Sequence, residues 1–334
     1  MVYQGYNNLF LELTETSGAA GAPTLPEQYR FLLCLPRPRL EQRGPITVWR
    51  APAKLNLTLR IAGLRADGYH ELDSVVSRIT LYDELHFRPR ADHQIRLECG
   101  PIDCGPIEGN LVWRAAWLLR QTAQEQGKAA GGVEIRLVKK TPPGAGLGGG
   151  SSDAATTLEA LNQLWQLGLP HEALVEMGAR LGSDVPLFLA PTPAVRMTGR
   201  GEQLQPANVR PFLAVLYLPN IACPTGEVYA AFDRQAGQVR PPSEQHPAAE
   251  EETFAGEPAD WRIFNDLLPA AMEVAPPLGK QMQALGEKTR LPVHMTGSGS
   301  GLFVLVSRMR FAAEALDRLG EMRHRCRIVS MNPW

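Results

Sequence analysis

From Ile46 to Ile61 the chain reads ITVWRAPAKLNLTLRI, and beyond Ala53 apolar and polar side chains alternate. Ala53, Leu55, Leu57, Leu59 and Ile61 fall on one face of an extended strand, and Lys54, Asn56, Thr58 and Arg60 on the other. The pattern predicts a strand with one buried side. VVSRITLYDELHFRP and HQIRLEC continue as strand. The period then changes. In NLVWRAAWLLRQTAQEQG the residues Leu111, Ala115, Leu118 and Thr122 recur at helical spacing, and Gly127 ends the run. GVEIRLVKK is strand again and leads into PPGAGLGGGSS. After that stretch Ala154, Leu158, Leu161 and Trp165 form a second helical stripe. Ser151, Ser152 and Asp153 suit its N-terminus, and Gly168 its end. HEALVEMGARLG predicts another helix, followed by SDVPLFLA.

Near Pro206 the pattern restarts. PFLAVLYLP reads as a buried strand, GEVYAAFDR as a short helix, and PPSEQHPAAEEETFAGEP as a polar, Pro-rich, mobile loop. Strand PVHM, a glycine loop, strand GLFVLVS, helix FAAEALDRLGEM and strand RCRIVSM complete the chain. Strands and helices mix without a regular repeat, which predicts two α+β domains divided near residue 207. They are taken as 44–207 and 208–334, preceded by a loosely ordered extension, 1–43, to which no function is assigned.

Composition narrows the classes. The 334 residues carry a formal net charge of −1, which gives no electrostatic reason to expect nucleic acid or an anionic membrane as partner. No apolar run approaches the roughly 20 residues of a membrane helix. The patch FLLCL is too short for a signal-peptide core, which needs about 7–15 apolar residues. Cys34, Cys99, Cys104, Cys223 and Cys326 are scattered, with no CxxC and no zinc spacing. They read as reduced, mostly buried thiols of a cytoplasmic protein.

The chemistry is concentrated in one stretch. Between Pro143 and Asp153 stand Gly144, Gly146, Gly148, Gly149 and Gly150, at a cost of roughly 0.5–1 kcal/mol each relative to alanine in ordered structure. A Walker A loop needs a lysine after the last glycine, and Ser151 stands there instead. Gly144, Gly146 and Gly149 do match G-x-G-x-x-G. However, Thr141, Pro142 and Pro143 separate them from the strand, and no acidic residue closes a second strand about 20 positions on. A nicotinamide-dependent oxidoreductase built on that match is kept as an alternative. The protein-kinase glycine loop joins two strands, whereas a helix follows here. Independently of any motif, a glycine-rich turn opening a helix aims backbone N–H groups and the helix dipole at one spot, which suits phosphate.

PPGAGLGGGSSDAA resembles the ATP-binding loop of the GHMP kinases, the family of galactokinase, homoserine kinase and mevalonate kinase. APAKLNLTLRIAGLRADGYHEL (51–72) is similar to the family's first motif and MTGSGSGLFVLV (295–306) to its third. The resemblance covers residues 45–334. The resemblance implies a ribosomal-protein-S5-domain-2-like N-terminal domain, a ferredoxin-like C-terminal domain, and a cleft between them for ATP and a small alcohol. Pro142, Pro143, Gly144, Ala145, Gly146, Leu147, Gly148, Gly149, Gly150, Ser151 and Ser152 would grip ATP. Asn110 is a further nucleotide contact by resemblance, or simply a helix cap. Asp184 would accept the hydroxyl proton and Lys54 would orient it, as a catalytic pair; a helix-capping role for Asp184 is the alternative. Asn56 points the same way as Lys54 and is assigned to the substrate.

RADGYHEL is similar to the cytidine-reading segment of one branch of the family. That similarity implies Tyr69 and His70 on the base, with a second aromatic wall from Thr225 and Tyr229 in CPTGEVY. Another small-alcohol kinase, such as a homoserine kinase, is the alternative within the family. Mg²⁺ is expected to accompany the nucleotide, but no dedicated carboxylate cage is visible. Gly301 stands where the third motif more often has Cys. Oligomeric state is not legible in the sequence.

Overall fold

The computed structural model describes Cys34, residues 39–236 and residues 254–332. Among them, nine strands form one sheet: β1 (Leu40–Arg43), β2 (Ile46–Asn56), β3 (Thr58–Leu64), β4 (His70–Arg90), β5 (Ile95–Gly100), β6 (Gly132–Val138), β7 (Ala194–Gly199), β8 (Gln203–Pro206) and, from far along the chain, β10 (Phe264–Asn265). The 21-residue β4 is the spine and pairs antiparallel with β2, β3, β6 and β7. Residues 39–43 were expected in the extension; instead β1 pairs with β2, so the sheet begins earlier. The expectations for residues 1–33, 35–38 and 237–253 lie outside the described residues. The distal end of the Pro-rich loop is pinned: Phe254 is buried, with its ring 5.3 Å from that of Trp261.

Four helices belong to this first half: α1 (Leu111–Glu125), α2 (Gly149–Leu164), α3 (His171–Leu181) and α4 (Val185–Leu189). Leu119, Leu158, Leu161 and Phe188 from these helices share one core with Leu85, Phe87 and Ile135 of the sheet. Two readings of these elements change. The buried stripe of α1 is Val112, Ala115, Ala116, Leu119 and Ala123, rotated from the expected one, and Leu111, Leu118 and Thr122 are only half-buried. Small alanines let α1 approach α2 closely, so packing rather than the bulkiest side chains sets the inward face. Helix α2 starts at Gly149, with Gly148 in the left-handed region at its cap and no side-chain cap, so Ser151, Ser152 and Asp153 lie inside its first turns.

Strands β9 (Leu213–Tyr217), β11 (His294–Met295), β12 (Leu302–Val306) and β13 (Cys326–Ser330) make the second sheet, ordered β11-β12-β9-β13 and antiparallel throughout. With it go α5 (Thr225–Ala236), α6 (Leu268–Val274), α7 (Pro277–Thr289) and α8 (Met309–Leu319). The sequence pattern had given no element for α6 or α7. The α+β class and two sheet-based halves are as expected. The halves are joined by an apolar layer in which Leu55, Leu57 and Ile79 meet Ala214, Leu216 and Phe303. This layer takes up one face of β2. The other face is not solvated as its polar residues suggested: Lys54 and Asn56 are each 4% exposed, with the glycine-rich loop packed against Lys54 and Thr296 against Asn56.

The cysteine reading holds only in part. Cys223 and Cys326 are free and buried, and burial pushes the Cys326 thiol up to about 12. Cys99 and Cys104 instead form a disulfide across a short loop, with Cα atoms 6.4 Å apart. Five residues apart at the end of β5, they carried none of the spacings that mark a pair in sequence.

Arg78 shows how the sheet fixes the segment before the second half. It is 1% exposed on β4, and its guanidinium donates to the carbonyl oxygens of Phe188 (3.4 Å), Ala190 (3.1 Å) and Thr192 (2.6 Å). Burial lowers its pKa to about 9, which leaves it charged at neutral pH. Arg78→Met strands these carbonyls at the end of α4, and we expect it to cost about 3 kcal/mol or more in urea unfolding. A loss under about 1 kcal/mol would show that the clasp is not what holds α4.

Candidate active site

A cavity of about 720 Å³ opens between the two halves, within the range of small-molecule sites. Its wall is the turn from β6 into α2. Gly144, Gly146 and Gly148 take φ of +68°, +71° and +67°. Left-handed residues at every second position fold the backbone into a concavity of N–H groups. The first N–H groups of α2 have no partner within the helix and add the positive end of its dipole.

Three hydrogen bonds bracket this loop. Lys54 N–H donates to the Leu147 carbonyl (3.0 Å) and Gly301 N–H to that of Ala145 (3.1 Å). The Thr296 hydroxyl donates to the Gly146 carbonyl (3.3 Å). The fit requires glycine at particular places. A Cβ on Gly146 would lie 2.1 Å from the Thr296 carbonyl oxygen, and one on Gly148 would lie 2.9 Å from the Phe188 ring and 3.1 Å from Lys54 Cγ. At Gly301 it would lie 2.6 Å from the Ala145 oxygen, which accounts for the departure from the more usual Cys.

A buried ionic cluster supports the loop from beneath. Lys139 Nζ donates to Asp83 Oδ2 (2.5 Å) and Asp153 Oδ2 (2.8 Å), all three residues being at most 5% exposed. Asp83 Oδ1 also accepts from the backbone N–H of Lys140 (2.6 Å) and Thr141 (2.8 Å), stapling the chain just before the glycines. Burial pulls the Lys139 pKa down, but the two carboxylates more than offset this and it is raised. Burial and the Asp83 charge push Asp153 well above the usual carboxylate range. The sequence reading missed this cluster.

Lys54 and Asp184 both line the cavity. Asp184 sits at the cap position of α4, but its side chain makes no capping bond, so its carboxylate is not spent on the helix. The Lys54 ammonium donates to Asn56 Oδ1 rather than directly to Asp184. Asn56 Nδ2 in turn donates to Ser74 Oγ (2.8 Å), and the Asn56 N–H to Thr296 Oγ1 (3.0 Å). Asn56, assigned to substrate, therefore positions the lysine as well as lining the cavity. Burial lowers the Lys54 pKa, and the Asp184 charge opposes that. Burial, reinforced by Asp184, raises Tyr229 far above its ordinary value. One carboxylate thus acts on both halves of the site.

At the other end Tyr69 is 57% exposed, with the Arg200 guanidinium 5.1 Å from its ring centre. The His70 ring lies 4.9 Å from that of Tyr229, and the Thr225 and Ser298 hydroxyls are 2.9 Å apart. Tyr69, His70, Thr225 and Tyr229 all line the same cavity, so residues some 150 positions apart in sequence converge. Asn110 accepts from Val112 N–H (2.9 Å) as the cap of α1, and it also lines the cavity. Pro142 to Ser151 line it too. Ser152 does not: it is fully buried, and its hydroxyl has no partner. Sequence reasoning also missed Arg200, which carries no local signal, and gave no role to Thr296 although it stands in the quoted segment 295–306.

Comparison with known proteins places the chain in a family. The family profile "GHMP kinases N terminal domain" matches residues 110–190. A 4-diphosphocytidyl-2-C-methyl-D-erythritol kinase of Pelotomaculum thermopropionicum is 40% identical over 271 residues, 80% of this chain and 92% of that protein. The enzyme of the same name from Nitrosococcus oceani is 47% identical over 185 residues, 55% of this chain and 64% of its own length. A crystal structure of 4-(cytidine 5'-diphospho)-2C-methyl-D-erythritol kinase superposes with a TM-score of 0.70 at 33% identity, over 85% of this chain and 99% of the other.

Proposed function

Because the chain belongs to the GHMP kinase family, in its 4-diphosphocytidyl-2-C-methyl-D-erythritol kinase branch, we propose how its own residues carry out that family's reaction. The reaction moves the γ-phosphoryl group of ATP to the 2-hydroxyl of 4-diphosphocytidyl-2-C-methyl-D-erythritol, in non-mevalonate isoprenoid biosynthesis. A bond forms from the hydroxyl oxygen to phosphorus. The bond to the β,γ-bridging oxygen breaks, and its electron pair leaves with ADP. Such transfers need gripping and charge stabilisation more than covalent help.

In this reading the N–H groups from Gly144 to Ser151 hold the phosphates at the α2 N-terminus. Asp184 takes the hydroxyl proton. Lys54, kept in place by Asn56, neutralises charge on the reacting oxygens. Tyr69 and Tyr229 flank the cytosine, and His70 reads its edge. The observation that carries the reading is the convergence of Lys54, Asp184, the glycine loop and Tyr69–His70 on one cavity.

Among the described residues no cluster of three or more His, Cys, Asp or Glu could hold a metal ion. Mg²⁺ would arrive on ATP's phosphates, and the Ser151 hydroxyl at the cavity wall would help to hold it. That cation would offset phosphate charge. A cytoplasmic setting belongs to the same reading, since both substrates are charged metabolites.

Incubation with labelled ATP and a panel of alcohols tests the assignment: label should pass to the cytidine-bearing alcohol and not to mevalonate or homoserine. Tyr69→Ala should raise KM for that substrate about 5- to 100-fold, the worth of one stacked base, while kcat stays within about twofold. Equal labelling of homoserine, or an unchanged KM, would reject the base-reading role.

A further inference from the structure

One helix of the C-terminal half meets the edge-reading histidine at two successive turns. On α5 the residues Thr225, Tyr229 and Asp233 are spaced four apart and so share a face. Thr225 and Tyr229 line the cavity. Asp233, one turn further on, places Oδ1 2.7 Å from His70 Nε2. The His70 side chain is 11% exposed and that of Asp233 49%, so the carboxylate closes the outer side of an otherwise covered ring. Tyr229 (4.9 Å) and Phe232 (6.1 Å, edge-on) hold the ring from the same helix.

This arrangement fixes which ring nitrogen carries the proton. A carboxylate only accepts hydrogen bonds, so Nε2 must donate to Asp233. In the neutral ring the other nitrogen, Nδ1, is then an acceptor. A base offering an amino group satisfies that lone pair, as cytosine does. Uracil presents a carbonyl oxygen at the same place and would set acceptor against acceptor.

We propose that Asp233 is a positioning residue that sets the His70 tautomer and so gives the site its preference for cytosine over uracil. The proposal rests on the reading of His70 as the base reader. Asp233 acts across the boundary between the halves and touches no reacting atom. Its removal therefore affects recognition and leaves phosphoryl transfer intact.

The test compares the cytidine diphosphate substrate with its uridine counterpart. The unaltered chain should prefer cytidine by about 100-fold or more in kcat/KM, as sites built to hydrogen-bond a polar group do. Asp233→Ala should raise KM for the cytidine substrate about 5- to 10-fold, leave kcat and the KM for ATP within about twofold, and reduce the preference about tenfold. Asp233→Asn can accept or donate at His70, and its preference should fall between the two. A preference unchanged in Asp233→Ala, or a fall in kcat with KM unmoved, overturns the proposal. Imidazole ¹⁵N shifts of the full unaltered chain read the tautomer with no variant at all: a protonated Nε2 is expected, and a proton on Nδ1 overturns it. A wild-type chain without cytidine preference is a different failure, because it removes the parent reading and this proposal with it.

Discussion

Asp184→Asn will lower kcat about 10²- to 10⁴-fold with KM for ATP changed less than about threefold, since the loss falls on proton transfer rather than on phosphate binding. Asparagine keeps the shape of the side chain and removes its charge. In the proposed mechanism two functions go with that charge. The hydroxyl proton loses its acceptor, and Lys54 loses the carboxylate that opposes the lowering effect of burial on its pKa. An ammonium that is 4% exposed and stripped of its counter-charge gives up its proton more easily. Lys54→Met should therefore cost a similar factor, and the double variant little more than either single one, because the two groups act as a unit. Single-turnover transfer from labelled ATP separates this from slow product release. Transfer within fivefold of the unaltered chain in Asp184→Asn would remove the carboxylate from the mechanism.

Gly146→Ala is the second large effect expected. Alanine at φ +71° costs roughly 1–2 kcal/mol on its own. Its Cβ would stand 2.1 Å from the Thr296 carbonyl oxygen and 3.1 Å from that of Gly299, so backbone rather than a flexible side chain has to retreat. Moving Thr296 also pulls on Asn56, whose N–H bonds to the Thr296 hydroxyl, and through Asn56 on Lys54. We expect kcat/KM for ATP to fall more than about 100-fold, as sub-ångström displacements of catalytic groups do, and thermal stability to drop. Gly150→Ala is the control: its Cβ meets only Leu111 Cδ1, at 3.7 Å, and alanine favours a helix by about 1 kcal/mol. Its melting temperature should hold or rise. Equal melting temperatures for the two variants would show that the loop does not need its left-handed glycine.

Much of the site was legible because its chemistry is local in sequence. The glycines, Lys54 with Asn56, Tyr69 with His70, and Asp184 all lie within short runs whose resemblance to the family's motifs carries the signal. The supporting parts were not. Lys139 is partnered by Asp83, 56 residues away, and His70 by Asp233, 163 residues away; no periodicity connects such pairs. The alternation in β2 correctly separated two faces but misjudged one, because a polar face covered by a loop and one bathed in water look alike in sequence. The serines after the glycines suggested caps, yet the helix begins two residues earlier on glycine backbone, and Ser152 is a buried residue within its first turns. Strand β10, two residues long, and the alanine-rich inward face of α1 were hidden for the same reason. Their placement is decided by what they pack against.

The bonds that tie the glycine loop to Thr296 and Gly301, together with the parallel pairing of β10 on β3, bear on how this protein matures during synthesis. A nascent polypeptide released from the ribosome through residue 207 would carry the phosphate turn without its braces and a sheet with one border bare. With the phosphates gripped by that turn as proposed, competence to hold nucleotide arrives late in translation, after the segment around Gly301 has emerged. Messages truncated before that point should yield products that sequester no ATP.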